Sequence, residues 1–250
     1  MTRRLVALPA AVCLAVLLPT ACTSTPPAPT PPPPRPTPTP DTARADVIAA
    51  LQRSQAATIR YVVRGNLPEG QYVTCTGALA PTTRRLQTAT AITGGKFPST
   101  GNRIVIGTDE YLRDSAKDDW IHLDLKRVKP DNPLLHFDWT DPTGLKRFTA
   151  AILSAEQIDP HTYSGKFNPE GKAADPFIPV GAPSIVTLGM LSASYTITTN
   201  AQGWVTSIKV QLAPTKGPKL TLTTTLTAHG SALNITAPAG AKEAADFYYD

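Results

Sequence analysis

Apolar and polar side chains alternate through the last sixty residues of this chain. In LSASYTITT, Leu191, Ala193, Tyr195 and Ile197 fall on one side. In WVTSIKVQL, Trp204, Ile208, Val210 and Leu212 oppose Val205, Ser207, Lys209 and Gln211. In KLTLTTTLT, Leu220, Leu222 and Leu226 oppose Thr221, Thr223, Thr225 and Thr227, and SALNITAP supplies a closing strand with Leu233 and Ile235. A side-chain period of two belongs to a strand with one buried and one wet face. NAQG, with Gly203 free to take positive φ, makes the first turn. Consecutive hairpins of this kind form an antiparallel sheet with an apolar face that something must cover.

The same pattern recurs upstream. Ile59, Tyr61 and Val63 alternate with Thr58, Arg60 and Arg64. Val73, Cys75 and Leu79 oppose Tyr72, Thr74 and Thr76, and Leu86, Thr88, Thr90 and Ile92 share a side. Residues 102–108 and 120–125 are further strands, linked by the charged stretch DEYLRDSAKDD. Helical spacing occurs twice. DTARADVIAALQRSQ places Val47, Ile48 and Leu51 opposite Arg44, Gln52 and Arg53. DPTGLKRFTAAILSA makes an apolar stripe of Leu145, Phe148, Ile152 and Ala155. Asp141 is the cap of that second helix and Pro142 its first residue. Two short helices leave more apolar sheet surface than they can hide.

The first 40 residues cannot join that sheet. Arg3 and Arg4 precede an apolar stretch, Leu5 to Leu18, shorter than the roughly 20 residues a membrane helix needs. Thr20 and Ala21 then precede Cys22, which is the layout of an export signal over residues 1–21. A cysteine at that place resembles the acylated first residue of a bacterial lipoprotein. Pro19 stands where such signals usually carry leucine, and Leu18 lies one residue further back; Cys13, after Val12, fits less well. Residues 22–41 are then a lipidated cysteine and a tether. Ten of the 26 prolines lie between Pro26 and Pro40. Proline fixes φ and lacks an N–H, so this stretch forms a polyproline II spacer reaching about 45 Å. Residues 42–250 form one domain, extracytoplasmic and tethered to the cell membrane by lipid.

Composition narrows the functions. Removing residues 1–21 takes away two arginines and no acid, so the formal charge falls from +5 to +3. No basic cluster with interleaved aromatics occurs, so nucleic acid is not an expected partner. With Cys22 acylated, Cys75 has no partner for a disulfide, and its place on an apolar strand face makes it a buried, inert thiol. His122, His136, His161 and His229 stand singly, without metal-ligand spacing. The acids Asp109, Glu110, Asp114, Asp118, Asp119 and Asp124 match no calcium-loop spacing. GKFNPEGKA brushes against a phosphate loop but has five residues between its glycines, and Ala173 where Ser or Thr is required. No nucleophile elbow occurs, and Asp141 of the pair Asp138 and Asp141 is explained by capping. The expectation is a non-enzymatic monomer without metal or cofactor.

Three stretches carry a resemblance. SYTITTNAQGWVTSIKVQL, AHGSALNITAPAGAKE and HTYSGKF resemble strands of the actinobacterial envelope lipoproteins of the LppX/LprG kind, whose fold is similar to that of the LolA lipoprotein carriers. The likeness spans about residues 42–245; Asn200 and Ala201 stand where the family often has Asp, and the strands are richer in Thr. The resemblance implies an α+β fold, a large curved antiparallel sheet forming a half-barrel with a few short helices on its concave face. It implies that acyl chains of a lipid or lipoglycan lie in the concave groove, for carriage or sensing. A chain of about 16 carbons in water forfeits roughly 13 kcal/mol at ~0.8 per CH₂, so lipid crossing an aqueous layer needs such a shield. Ile59, Tyr61, Val63, Phe148, Ile152, Tyr195, Ile197, Ile208 and Val210 are the expected groove residues. The alternative is an envelope protein-interaction module with a filled core, presenting its charged 109–124 loop to a protein partner.

Overall fold

The computed structural model describes residues 40–129, 132, 137–169 and 190–249. The signal, Cys22, the prolines before Pro40 and His136 lie outside them. Residues from Thr37 to Asp250 gather into one compact unit, and no described helix is long and apolar enough to cross a membrane.

One sheet of twelve strands organises this unit. Helix α1 (Pro40–Ala56) leads into β1 (Ile59–Asn66), β2 (Gln71–Ala80), β3 (Arg85–Gly94), β4 (Ser99–Ile106), β5 (Asp109–Arg113) and β6 (Ile121–Asp124). After α2 (Leu145–Ala151) come β7 (Glu156–Asp159), β8 (Thr162–Lys166), β9 (Met190–Thr199), β10 (Val205–Pro214), β11 (Leu220–Thr227) and the two-residue β12 (Lys242–Glu243). The order β12-β6-β5-β4-β3-β2-β1-β11-β10-β9-β8-β7 joins two meanders through β1 and β11, Tyr61 facing Leu226. Every pairing is antiparallel except β12 with β6. The two ends of this order do not meet, so the sheet is curved and unclosed. The fold class expected from the sequence is the one found.

Both helices sit on the concave face. Val47 and Leu51 of α1 and Leu145 and Phe148 of α2 join Ile59, Tyr61, Val63, Ile197 and Ile208 in one core. Arg44 reaches from α1 to the carbonyl oxygen of Ile152 at 3.1 Å. The Ser54 hydroxyl accepts the N–H of Val205 at 3.1 Å, fixing the other end of α1 to β10.

Five local expectations need correction. The second helix begins at Leu145, not Pro142, and ends before Ile152, which bridges to Phe167 instead. Asp141 still caps it, accepting the N–H groups of Lys146 at 2.9 Å and Arg147 at 3.0 Å. The charged stretch after residue 108 is not a loop throughout, because β5 runs through Asp109–Arg113. Strand β7 was missed as well. A bulge between Val205 and Ser207 shifts the phase of β10, so Val205 is buried and Trp204 half-buried. SALNITAP forms no strand. The chain turns at Ala228 (φ 56°) and Gly230, whose N–H donates to the Thr58 carbonyl oxygen at 2.9 Å. It then crosses the convex face, where Ile235 is buried against Ala78 and Ile104 and the Arg85 guanidinium donates to the Ile235 carbonyl oxygen. Pro238 lacks the N–H a ladder needs. Lys242–Glu243 finally pairs with the edge strand β6, and Tyr249 packs with Leu123 and Val128 beneath it. An otherwise bare edge is thereby covered.

Candidate functional site

The registers place the concave side chains in rows that run across the strands. One row is Tyr61, Gly77, Thr88, Arg103 and Leu112 on β1 to β5. The next is Val63, Cys75, Thr90 and Gly101. All nine expected groove residues belong to the same core, each at most 4 % exposed. Phe148 meets Phe167 and Tyr195 edge-on at 5.4 and 5.8 Å. The Tyr195 hydroxyl donates to the Ser154 carbonyl oxygen at 2.8 Å, and burial pushes its pKa up to about 12. On the α1–α2 side the sheet is therefore closed by its own side chains. A cleft of about 480 Å³ does lie between the helices, where Arg44, Gln52, Gln55 and Lys146 share its lining with Ile48 and Ala150.

The other half differs. Thr88, Thr90, Ile92, Gly101 and Arg103 are half-buried, and a methyl group added at Gly101 would meet no atom within 4 Å. At Gly77 the opposite holds: its missing Cβ is where the Tyr61 ring lies, since a carbon there would come within 2.0 Å of it. Burial, and after it the neighbouring Cys75, raise the Tyr61 pKa far above the usual phenol range, against the lowering pull of the Arg103 charge. Cys75 is fully buried and its thiol is pushed up by burial, against a hydrogen bond with Thr90. This matches an inert thiol.

Arg103 and Glu110 form an ion pair on this face. The Glu110 side chain is wholly buried, whereas that of Arg103 is 28 % exposed and lies 4.8 Å from the Phe137 ring centroid. Burial raises the Glu110 pKa despite the charge and hydrogen bonding of Arg103. Outside that pair, Glu110 Oε2 and Arg103 Nη2 are buried without a hydrogen-bond partner. The sequence showed Glu110 only as one acid in a charged run; its signal was the alternation Glu110, Leu112 against Tyr111, Arg113.

On the convex side His122 hydrogen-bonds Glu243 through Nδ1 at 2.8 Å and Asp109 through Nε2 at 2.9 Å, and stacks on Tyr111. Partial burial disfavours its charge, but the two carboxylates outweigh that and raise its pKa. Asp119 pairs with Lys242 at 2.5 Å. Among the described residues no three His, Cys, Asp or Glu side chains form a group that could hold a metal.

No protein-family model matches this chain, and no curated protein matches it. Among solved structures it is similar to a LolA superfamily protein from Nitrosomonas europaea, at 9 % identity and a TM-score of 0.29, over 78 % of this chain and 97 % of that one. So distant a likeness assigns neither a family nor a function.

Proposed function

We propose that this protein is a membrane-tethered, non-enzymatic binder of acyl chains, a LolA-like envelope lipoprotein acting in carriage or sensing. One observation supports the reading: the inward positions of β3 and β4 carry the small, half-buried residues Thr88, Thr90 and Gly101, and a Cβ on Gly101 would meet no atom within 4 Å. A curved sheet stays open only where its helices do not reach, and here α1 packs against β7 and β10 while α2 packs against α1. The groove of this reading lies on β3 and β4, with the nine expected residues forming its packed wall. Acyl burial there needs no reactive group. The outer-envelope location and the anchor at Cys22 belong to the same proposal.

The full chain, purified from a lipid-making host, is expected to carry extractable acyl lipid by native mass spectrometry, and Gly101→Trp to carry much less while melting normally. A chain showing only its own mass, with nothing extractable, overturns the reading. That result would favour the interaction module, which the close packing of the nine residues supports. Its charged face is then smaller than expected, because Glu110 is buried and Asp119 is tied to Lys242.

A further inference from the structure

Three hairpin turns line one end of the sheet. The registers Asn66 with Tyr72, Gln71 with Gly94 and Leu212 with Leu220 put residues 67–70, 95–98 and 215–219 there as neighbours. Side chains lock them together. The Asn66 amide donates to the Lys219 carbonyl oxygen at 3.0 Å and accepts the Thr221 N–H at 2.7 Å. Gln71 donates to the Phe97 carbonyl oxygen at 3.2 Å. Every residue of the 95–98 turn is exposed, and Phe97, at 75 %, is the most exposed large apolar side chain among the described residues. The same turns carry Lys96, Lys216 and Lys219, all exposed and none in an ion pair among the described residues. Glu69 is their one acid. At the opposite end of the sheet, Arg53 and Arg84 instead lie over the rings of Trp204 and Trp139. The basic patch stops at β4, beyond which the turn after β5 carries Asp114, Asp118 and Asp119 beside Lys117.

We propose that this end of the sheet docks on an anionic lipid bilayer, with Phe97 inserted at the headgroup boundary and Lys96, Lys216 and Lys219 set against the lipid charges. Each lysine is attracted to an anionic membrane surface, and an exposed aromatic ring prefers the boundary between water and acyl chains. A protein partner fits the patch less well. Protein interfaces are poor in lysine, and a single ring projecting from a turn gives them no broad apolar surface. A lipid on Cys22, 18 positions before Pro40, would hold the domain within reach of the bilayer. Docking of this kind does not require acyl binding, but it would turn the more open half of the concave face toward the membrane, because the inward Ile92 and Gly101 each lie three residues from the 95–98 turn.

The test reads the turn itself in the full chain, so that any anchor acts equally on every vesicle. Phe97→Trp adds an indole there, and the native chain supplies the background of its own three tryptophans. On vesicles of phosphatidylglycerol mixed with phosphatidylcholine, the added fluorescence is expected to shift to the blue and to be quenched by brominated acyl chains. On phosphatidylcholine alone both effects are expected to be lost, and high salt should weaken them by screening exposed charge. The triple change Lys96→Gln, Lys216→Gln, Lys219→Gln in the same background should lose them too, while melting as the native chain does, since all three side chains are exposed. No shift on the anionic vesicles overturns the proposal, as does an equal shift on phosphatidylcholine or a shift that survives the triple change. A shift with soluble polyglutamate and none with vesicles overturns it in favour of an acidic protein partner. The acyl-binding reading stands or falls separately, on the extractable lipid.

Discussion

Replacing Phe148 by alanine separates a packed wall from a ligand-lined one. The side chain has no exposed surface and sits edge-on to Phe167 and Tyr195. Removing a ring from such a site loses its transfer free energy and leaves a cavity that neighbours only partly fill, about 3–5 kcal/mol in total. In a domain of this size each kcal/mol lowers Tm by roughly 2–4 °C, so the melting point should fall by about 6–20 °C. Urea unfolding followed by circular dichroism should give the same loss with an unchanged slope, since slope tracks the surface exposed on unfolding. Phe148→Leu, closer in volume, should cost about 1–1.5 kcal/mol. A loss under about 1 kcal/mol for the alanine variant, with the slope intact, would show that the Phe148 ring borders open space. The division of the concave face into a packed half and a more open half would then be wrong.

Three further outcomes follow from the same contacts. Gly77→Ala drives a carbon into the Tyr61 ring and should cost about 1–3 kcal/mol by overpacking; the cost should shrink when Tyr61 is first replaced by alanine, measured as a double-mutant cycle in urea. His122 holds a raised pKa through Glu243 and Asp109, so its contribution to stability is complete below the unfolded value of about 6.5 and fades as pH rises through the higher folded value. Melting curves between about pH 5 and 9 should show this fade in the native chain and lose it in His122→Gln; parallel curves for the two proteins would refute it. Cys75 should resist a thiol reagent at pH 8 until the protein unfolds, and prompt labelling would mean that its strand face opens.

How much of this could be read in the chain depends on the range of the interaction involved. Period-two alternation named the inward residues of β1, β2, β3 and β11 correctly, because a pleated strand sends neighbouring side chains to opposite faces whatever else surrounds it. It misplaced Trp204 and Val205, because the bulge that shifts their phase arises from pairing with β9. Charge hid β5: Glu110 read as a solvated acid, and only the approach of Arg103 from the neighbouring strand makes its burial tolerable. Leu233 and Ile235 alternate like a strand, yet their partners are Ala78 and Ile104 on the convex face, contacts made across more than a hundred residues.

The sequence by itself determined the sheet, its two scant helices and the inward set of apolar residues, since these follow from local periodicity and from backbone rules for proline and glycine. Only the tertiary structure decided which part of the concave face is filled. Phe148 reaches over Tyr195 and the Tyr61 ring lies across Gly77, while Gly101 is left bare. A hollow is the difference between the volumes of side chains brought together from distant strands, and no single stretch of the chain contains that difference.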